Sequence, residues 1–304
     1  MTSSTRGGSV VIEQEVVSRY RKNYGLSDAI DAGHVEQHLE LETEITKKLL
    51  SSTPENRWQV FDECYTTLFQ SLPWLNGTGS EPRWKGHGPW PTLLKKNSTI
   101  LEVGSGAGAL VRLLASLGHR CVGTEITPER GERHVKDVHG VEWRSTDGVN
   151  LAKFENRDTY DYVISSQVIE HFHPDDVRTH FENVRLILKP GGEYVFDTPH
   201  VGSGPHDLSK VFDLERPSFA HLREYDFREL GEIARASGFK KVKAVLYDSK
   251  SNLRPVKSRL LFHYYCLVDS ILSKAKLSHR KERAIRRILR VALIPSNIWM
   301  TVQK

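Results

Sequence analysis

Three glycines at alternate positions, Gly104, Gly106 and Gly108, lie between two carboxylates, Glu102 just upstream and Glu125 downstream. Glycines in such a turn let backbone approach a ligand where any side chain would block it. Glu125 has the acceptors to take both hydroxyls of a ribose. Glu102 repels a pyrophosphate and attracts an ammonium group. The chemistry these residues can do together is to hold a nucleotide that carries positive charge.

Positioning those groups requires a particular run of elements. Thr99-Ile100-Leu101-Glu102-Val103 is a short apolar run, expected as a buried parallel strand. Leu110, Leu113, Leu114 and Leu117 follow at helical spacing, and Gly118 closes the helix as a C-cap. A second strand from Arg120 to Gly123 delivers Glu125 at its carboxyl end. Strand, glycine turn, helix, strand and acid form the nucleotide-binding half of a doubly wound sheet, with the ligand outside the strands' carboxyl ends. Read as Gly104-x-Gly106-x-x-Ala109, the turn also satisfies the dinucleotide fingerprint, a weak pattern alone. Glu102, and the tighter loop set by Gly108, favour S-adenosylmethionine, cationic at sulfur and amine, over NAD.

The 304 residues are 38% apolar and 27% charged, an ordinary globular composition with room for one large domain and additions. No run approaches the ~18 apolar residues of a membrane span, and the amino terminus lacks the apolar core of a secretory signal. Cys64, Cys121 and Cys266 show no paired spacing, which argues against a zinc site or a disulfide framework. A cytoplasmic protein is expected, with peripheral association at the inner face of a membrane as an option. The net charge of +5 is unevenly placed: Lys240 to Lys304 holds 16 Lys and Arg against three acids. That basic end suits an anionic surface or is a solvated face.

Along the chain, residues 1–9 read as a polar tail, followed by helices over Val10–Tyr24, Asp31–Leu50 and Pro54–Leu72. A Trp-, Gly- and Pro-rich stretch from Pro73 to Pro91 leads to the core. After Glu125, Thr127-Pro128 starts a further helix. Strands are expected at Val141–Arg144, Tyr160–Ser166, Glu193–Asp197 and Lys241–Tyr247, and helices at Asp175–Leu188 and Asp226–Ser237. A long loop from Thr198 to about His221 has the length of a functional loop. Two amphipathic segments, Val256–Leu272 and His279–Leu293, precede a closing strand at Ser296–Gln303.

LEVGSGAG, the acid of VGTE, STDG, DYVISSQVIEHF and LKPGG, in this order, resemble the motifs of class I S-adenosylmethionine-dependent methyltransferases. The resemblance covers roughly Ser98 to Tyr247. It implies an α/β, Rossmann-like, doubly wound, mostly parallel seven-stranded sheet. Residues 1–90 would form an amino-terminal helical cap or lid and 91–304 the methyltransferase domain, with 249–294 a basic helical insertion before the last strand. It further implies a cofactor site of Glu102, Gly104, Ser105, Gly106, Gly108, Glu125, Ile126, Asp147, Gly148, Ser166 and Gln167. Glu102 and Gly104 would hold the methionine end, Glu125 the ribose, Asp147 the adenine amino group and Ile126 the purine face. Ser166 and Gln167 would lie beneath the sulfonium. Tyr20 and Tyr24 read either as lid residues over the cofactor or as ordinary helix packing.

The expected reaction is O-methylation of a small or lipid-linked metabolite, a saccharide or natural product included, leaving S-adenosylhomocysteine. An oxygen acceptor needs a base. His171, His206 and His221 are the catalytic candidates, with His173, His200 and Asp207 also on loops at the carboxyl edge. Gly204–Ser209 and Phe219–Tyr225 resemble acceptor-lining stretches of some bacterial methyltransferases. Glu170-His171 also resembles the metal-binding segment of small-RNA 2′-O-methyltransferases and ubiquinone-pathway O-methyltransferases. Gln167 stands where those proteins have a glutamate, which weakens a hard divalent site, and no metal ligand is assigned. Metal-assisted RNA 2′-O-methylation and a non-catalytic cofactor-binding subunit are the alternatives. His279–Leu293, with cations around an apolar stripe, fits a helix on an anionic membrane, a packed helix with a basic outer face, or a nucleic-acid contact. Oligomeric state is not legible.

Overall fold

The computed structural model describes residues 12–75, 88–127, 132–135, 137–247, 254–275, 278–289, 295 and 297–304. The polar tail, most of the Pro73–Pro91 stretch, Pro128–Arg130, and Arg290–Leu293 of the basic segment lie outside the described residues.

Among the described residues eight strands form one sheet: β1 (Thr99–Val103), β2 (Arg120–Glu125), β3 (Val141–Ser145), β4 (Tyr160–Ser166), β5 (Leu188–Pro199), β6 (Lys241–Leu246), β7 (Val256–Ser258) and β8 (Asn297–Gln303). Their order is β3-β2-β1-β4-β5-β8-β6-β7. The first five are parallel, and β8 runs antiparallel between β5 and β6. Register aligns Val103 with Thr124 and Ser165, and Ser166 with Asp197. The carboxyl ends of β1, β2, β4 and β5 therefore share one edge.

Continuous apolar runs in β1, β4 and β5 suit a sheet covered on both faces. Leu101, Val163, Tyr194 and Phe196 pack on one side with Phe181 and Val184 of α7 (Val177–Ile187) and Leu230 of α8 (Phe227–Ala236). Ile100, Ile164 and Val195 pack on the other with Trp90 of α4 (Trp90–Leu93) and Leu110, Val111 and Leu114 of α5 (Ala109–Ser116). A four-residue helix, α6 (Glu132–Val135), precedes β3. Among the described residues no helix is long and apolar enough to cross a membrane.

The eighth strand departs from the seven expected. Val256–Ser258, anticipated as the start of a helix, instead pairs antiparallel with Ala244–Leu246. Ser258 then ends the strand by accepting from the Leu261 N–H as N-cap of α9 (Arg259–Lys274). α9 lays Phe262 and Tyr265 on α8, and α10 (His279–Leu289) packs against the turn after β5.

The amino-terminal helices α1 (Gln14–Tyr24), α2 (Ala32–Ser51) and α3 (Arg57–Ser71) stand over the carboxyl edge. Val17, Tyr20 and Val35 bury against Leu208, Val211 and Phe219 of the loop after β5. Ile45, Phe61 and Leu68 pack with Ile126 and Leu222. Arg57 of α3 pairs with Asp176 just ahead of α7 at 2.6 Å. Of the two readings of Tyr20, packing is the one observed: it is fully buried, bonded to His38 at 2.9 Å and to the Trp74 indole N–H at 3.1 Å. Its ring does not face an open site.

Gly231 on α8 leaves space only for the Phe262 ring, and a Cβ there would overlap that ring. Gly231→Ala should cost about 1–3 kcal/mol by overpacking, read as a lower midpoint in denaturant unfolding. Adding Phe262→Leu should recover part of that loss, whereas two fully additive losses would contradict this packing.

Candidate cofactor and acceptor site

The turn after β1 is stitched to the end of β2. The Ser105 N–H donates to the Thr124 carbonyl at 2.9 Å, and the Thr124 hydroxyl donates to the Glu102 carbonyl at 2.9 Å. Gly104 and Gly108 sit at φ of 67° and 73°, a region that favours glycine. A Cβ on Gly104 would lie 2.6 Å from Val168, and one on Gly108 would overlap Val135. The turn cannot accept side chains at either position without displacing its neighbours.

Both carboxylates expected at this turn are buried beside it. Glu125 accepts from the Gly106 N–H through Oε1 at 2.9 Å and from the Ile126 N–H through Oε2 at 3.0 Å. Those bonds orient it over the loop and leave lone pairs for a further partner. Glu102 is 3% exposed, and its Oε2 has no hydrogen-bond partner among the described residues. Burial, with Glu125 nearby, pushes the Glu102 carboxyl up to about 8. An acid so placed is undersatisfied in a way an arriving cation corrects. A turn closed to side chains and an orphaned acid oxygen suit a ligand with an ammonium group.

The remaining expected cofactor residues line the same edge. Asp147 accepts from the Val149 and Asn150 N–H groups and from the Asn150 amide, so its first task is to cap its own turn. Gln167, at φ 57°, donates from its backbone and side chain to Asp197, at 2.9 and 2.7 Å. Ser166 precedes it at the end of β4, half-buried. The segment that follows folds back over the glycines: Val168 abuts Gly104, and Phe172 would lie 3.0 Å from a Cβ on Gly148. Ile126 packs into the α2–α3 cluster, which brings the helical cap down on this edge.

A second group lies on the loops after β4 and β5. Glu170 is fully buried; one carboxyl oxygen accepts from the Thr198 hydroxyl at 2.9 Å and the other has no partner among the described residues. Burial pushes the Glu170 carboxyl up to about 7. His171 and His221 meet edge to face with ring centres 4.9 Å apart. His171 Nδ1 lies 2.9 Å from the Ala220 carbonyl, and His221 Nδ1 lies 2.8 Å from Glu224 Oε1. Burial draws the His221 imidazole down, but hydrogen bonding to Glu224 and the charges of Glu170, Glu224 and Asp207 outweigh it and hold His221 above its usual range. One ligand atom from each of Glu170, His171 and His221 falls within 4.8 Å of the others.

His206 joins the group through Glu224, whose Oε1 accepts its backbone N–H at 2.8 Å. Its ring faces the Ser203 hydroxyl at 3.0 Å, and burial lowers it to about 4, so it is neutral near pH 7. Other polar loop residues are occupied structurally. His173 accepts from the Asp175 N–H as an N-cap. His200 is buried against Asp269 at 3.0 Å. Asp207 accepts the N–H groups of Ser209, Ser218 and Phe219. Glu224 is the residue sequence reasoning missed. The three-residue spacing from His221 is the signal that was available.

Residues 88–244 match the methyltransferase-domain family, just over half of the chain. The Burkholderia thailandensis 1,6-didemethyltoxoflavin N1-methyltransferase, solved with 1,6-didemethyltoxoflavin and S-adenosylhomocysteine, superposes with a TM-score of 0.52 at 15% identity, over 83% of this chain and 91% of its own. A putative Haloferax volcanii methyltransferase in complex with the activator Trm112 gives 0.48 at 16% identity, over 71% and 88%. Haemonchus contortus phosphoethanolamine N-methyltransferase 2 gives 0.46 at 19% identity, over 82% and 58%. With the glycine turn and its two acids at the carboxyl edge of this sheet, the match identifies the chain as a member of the class I S-adenosylmethionine-dependent methyltransferases.

Proposed function

We propose that this methyltransferase methylates an oxygen of a small or lipid-linked metabolite, with His221 as the base. The observation that carries the reading is the His221–Glu224 pair, 2.8 Å apart with the Glu224 side chain fully buried, on a loop at the carboxyl edge of the sheet, the edge at which ligands bind in such folds. An amine acceptor can offer a free lone pair, whereas a hydroxyl must lose its proton. S-adenosylmethionine, when bound, supplies a methyl group on a cationic sulfur, open to in-line displacement.

The chain's own residues then have distinct tasks. Glu102 receives the ammonium, and Glu125 uses its remaining lone pairs for the ribose hydroxyls. Asp147, Gly148 and Ile126 enclose the adenine, while Ser166 and Gln167 face the sulfur, Gln167 fixed by Asp197. Glu224 holds His221 by Nδ1, so that Nε2 takes the acceptor proton. His206, kept neutral, hydrogen-bonds the acceptor, and His171 lines its pocket. Replacing His221 by Ala should lower kcat by about 10²–10⁴-fold with cofactor affinity unchanged. Labelled-methyl transfer to metabolite extracts, with and without nuclease, reads both the rate and the acceptor class. An unchanged rate removes His221 as base, and a signal lost to nuclease favours an RNA acceptor.

Glu102 gives the pH dependence. In the free protein its pKa of about 8 leaves it mostly protonated at pH 7, and an ammonium favours the carboxylate. Cofactor binding at pH 7 should therefore release a proton, and affinity should rise as pH approaches 8. Calorimetry in buffers of different ionisation enthalpy measures this. A folded pKa above the unfolded value also means that stability falls as pH rises toward 8. Glu102→Gln should thus melt higher than the parent at pH 9 while binding cofactor at least ~10-fold more weakly, the loss of one charge-assisted contact.

The triad of Glu170, His171 and His221 supports a second reading, in which a divalent ion activates the acceptor oxygen. A carbonyl behind one imidazole and a carboxylate behind the other are the partners that orient metal-bound histidines. Titration with Co²⁺ separates the two readings. A visible ligand-field spectrum that Glu170→Gln abolishes establishes the metal, whereas no spectrum and full activity in chelator leave His221 acting as a base.

A further inference from the structure

α9 is apolar on two opposite faces. Phe262, Tyr265 and Leu272 are at most 8% exposed and pack inward, with Asp269 buried beside them. On the outer face Leu260, Tyr264, Leu267 and Ile271 are 82%, 40%, 59% and 57% exposed. Steps of four, three and four residues place these side chains in one stripe, about 16 Å long at the helical rise. Arg259, His263 and Lys274, all exposed, run along one flank of the stripe. A helix apolar on both faces has its second face built for a partner.

α10 adds to that surface differently from the sequence expectation. Arg286, read there among the outward cations, is buried between Asp269 of α9 at 2.9 Å and Glu282 at 3.0 Å. That ion pair locks α10 to α9, while Ile288 stays 73% exposed, Lys281 faces solvent and the largely exposed Arg280 pairs with Asp213 at 3.2 Å. Of the three readings of His279–Leu293, packing is the one Arg286 follows, and α10 leaves its exposed cations beside the outer face of α9.

We propose that the outer face of α9 seats on an anionic lipid surface. Leu260, Leu267 and Ile271 enter the boundary between headgroups and acyl chains, and Arg259, Lys274 and the exposed α10 cations meet the headgroups. Charge decides between this and a second copy of the chain. Residues 240–304 hold 16 Lys and Arg against three acids, so a symmetric pair through α9 would bring two strongly cationic segments together. The inference does not depend on the acceptor chemistry. A lipid-bound enzyme can still methylate a water-soluble substrate.

The full chain is sedimented with vesicles of phosphatidylcholine alone and of phosphatidylcholine with phosphatidylglycerol, at low and high salt. The parent should pellet with the anionic vesicles only, and salt should release it. The double variant Leu267→Ser, Ile271→Ser should partition at least ~10-fold less, by loss of two buried apolar groups. Both side chains are exposed, so its melting temperature and S-adenosylhomocysteine affinity should match the parent's. Failure of the parent to bind anionic vesicles overturns the proposal, as does equal binding by the variant. So does a dimer, seen by light scattering, that the variant dissolves, since the stripe then serves self-association.

Discussion

A carboxylate buried without a full set of partners costs free energy, and at Glu102 a positively charged ligand would relieve that cost. The rest of the site follows from keeping it there. The glycine turn must pass close to it, so Gly104 and Gly108 adopt backbone conformations that other residues resist. Val168 and Val135 then occupy the space left by the missing side chains. Glu125 is held by two backbone N–H groups, which fixes the second acid relative to the first.

On the proposed acceptor side buried titratable groups lean on one another, while one oxygen each of Glu170 and Glu224 is left, like that of Glu102, without a partner among the described residues. His221 leans on Glu224, Glu224 also secures the backbone of His206, and Glu170 is tied to Thr198 on β5. The loop carrying these groups is fixed from above by α1 and α2, whose Tyr20 and Val35 pack with Leu208 and Phe219. From the side it is fixed by the His200–Asp269–Arg286 chain, which joins the residue just after β5 to α9 and α10. Parts of the molecule outside the matched family region therefore shape the loop that carries His206, His221 and Glu224.

Much of this was legible in the sequence because it depends on local rules. The apolar runs of β1, β4 and β5, the glycine turn and the leucine spacing of α5 each announce one element. Glu102 and Glu125 are marked by position relative to that turn. The illegible parts depend on tertiary contacts between distant residues. Glu224 sits in a loop with no periodicity, so its three-residue spacing from His221 gains meaning only once the fold shows the contact. Tyr20 on an amphipathic helix serves equally as lid or core until Leu208 and Phe219 are seen beside it. Val256–Ser258 is too short for its strand pattern to outweigh the helix that follows. Arg286 lies among outward-reading cations, and nothing local reveals that Asp269 waits beneath it.

The central claim is that Glu102 and the glycine turn select a nucleotide by the charge of its amino-acid end. Equilibrium binding of S-adenosylhomocysteine, 5′-methylthioadenosine and NAD to the parent and to Glu102→Gln tests it most directly. S-adenosylhomocysteine should bind at least ~10-fold more tightly than 5′-methylthioadenosine, which lacks the ammonium, and the gap should close in the variant. NAD should bind weakly to both. Tighter binding of NAD than of S-adenosylhomocysteine, or a gap that survives in the variant, would contradict the account.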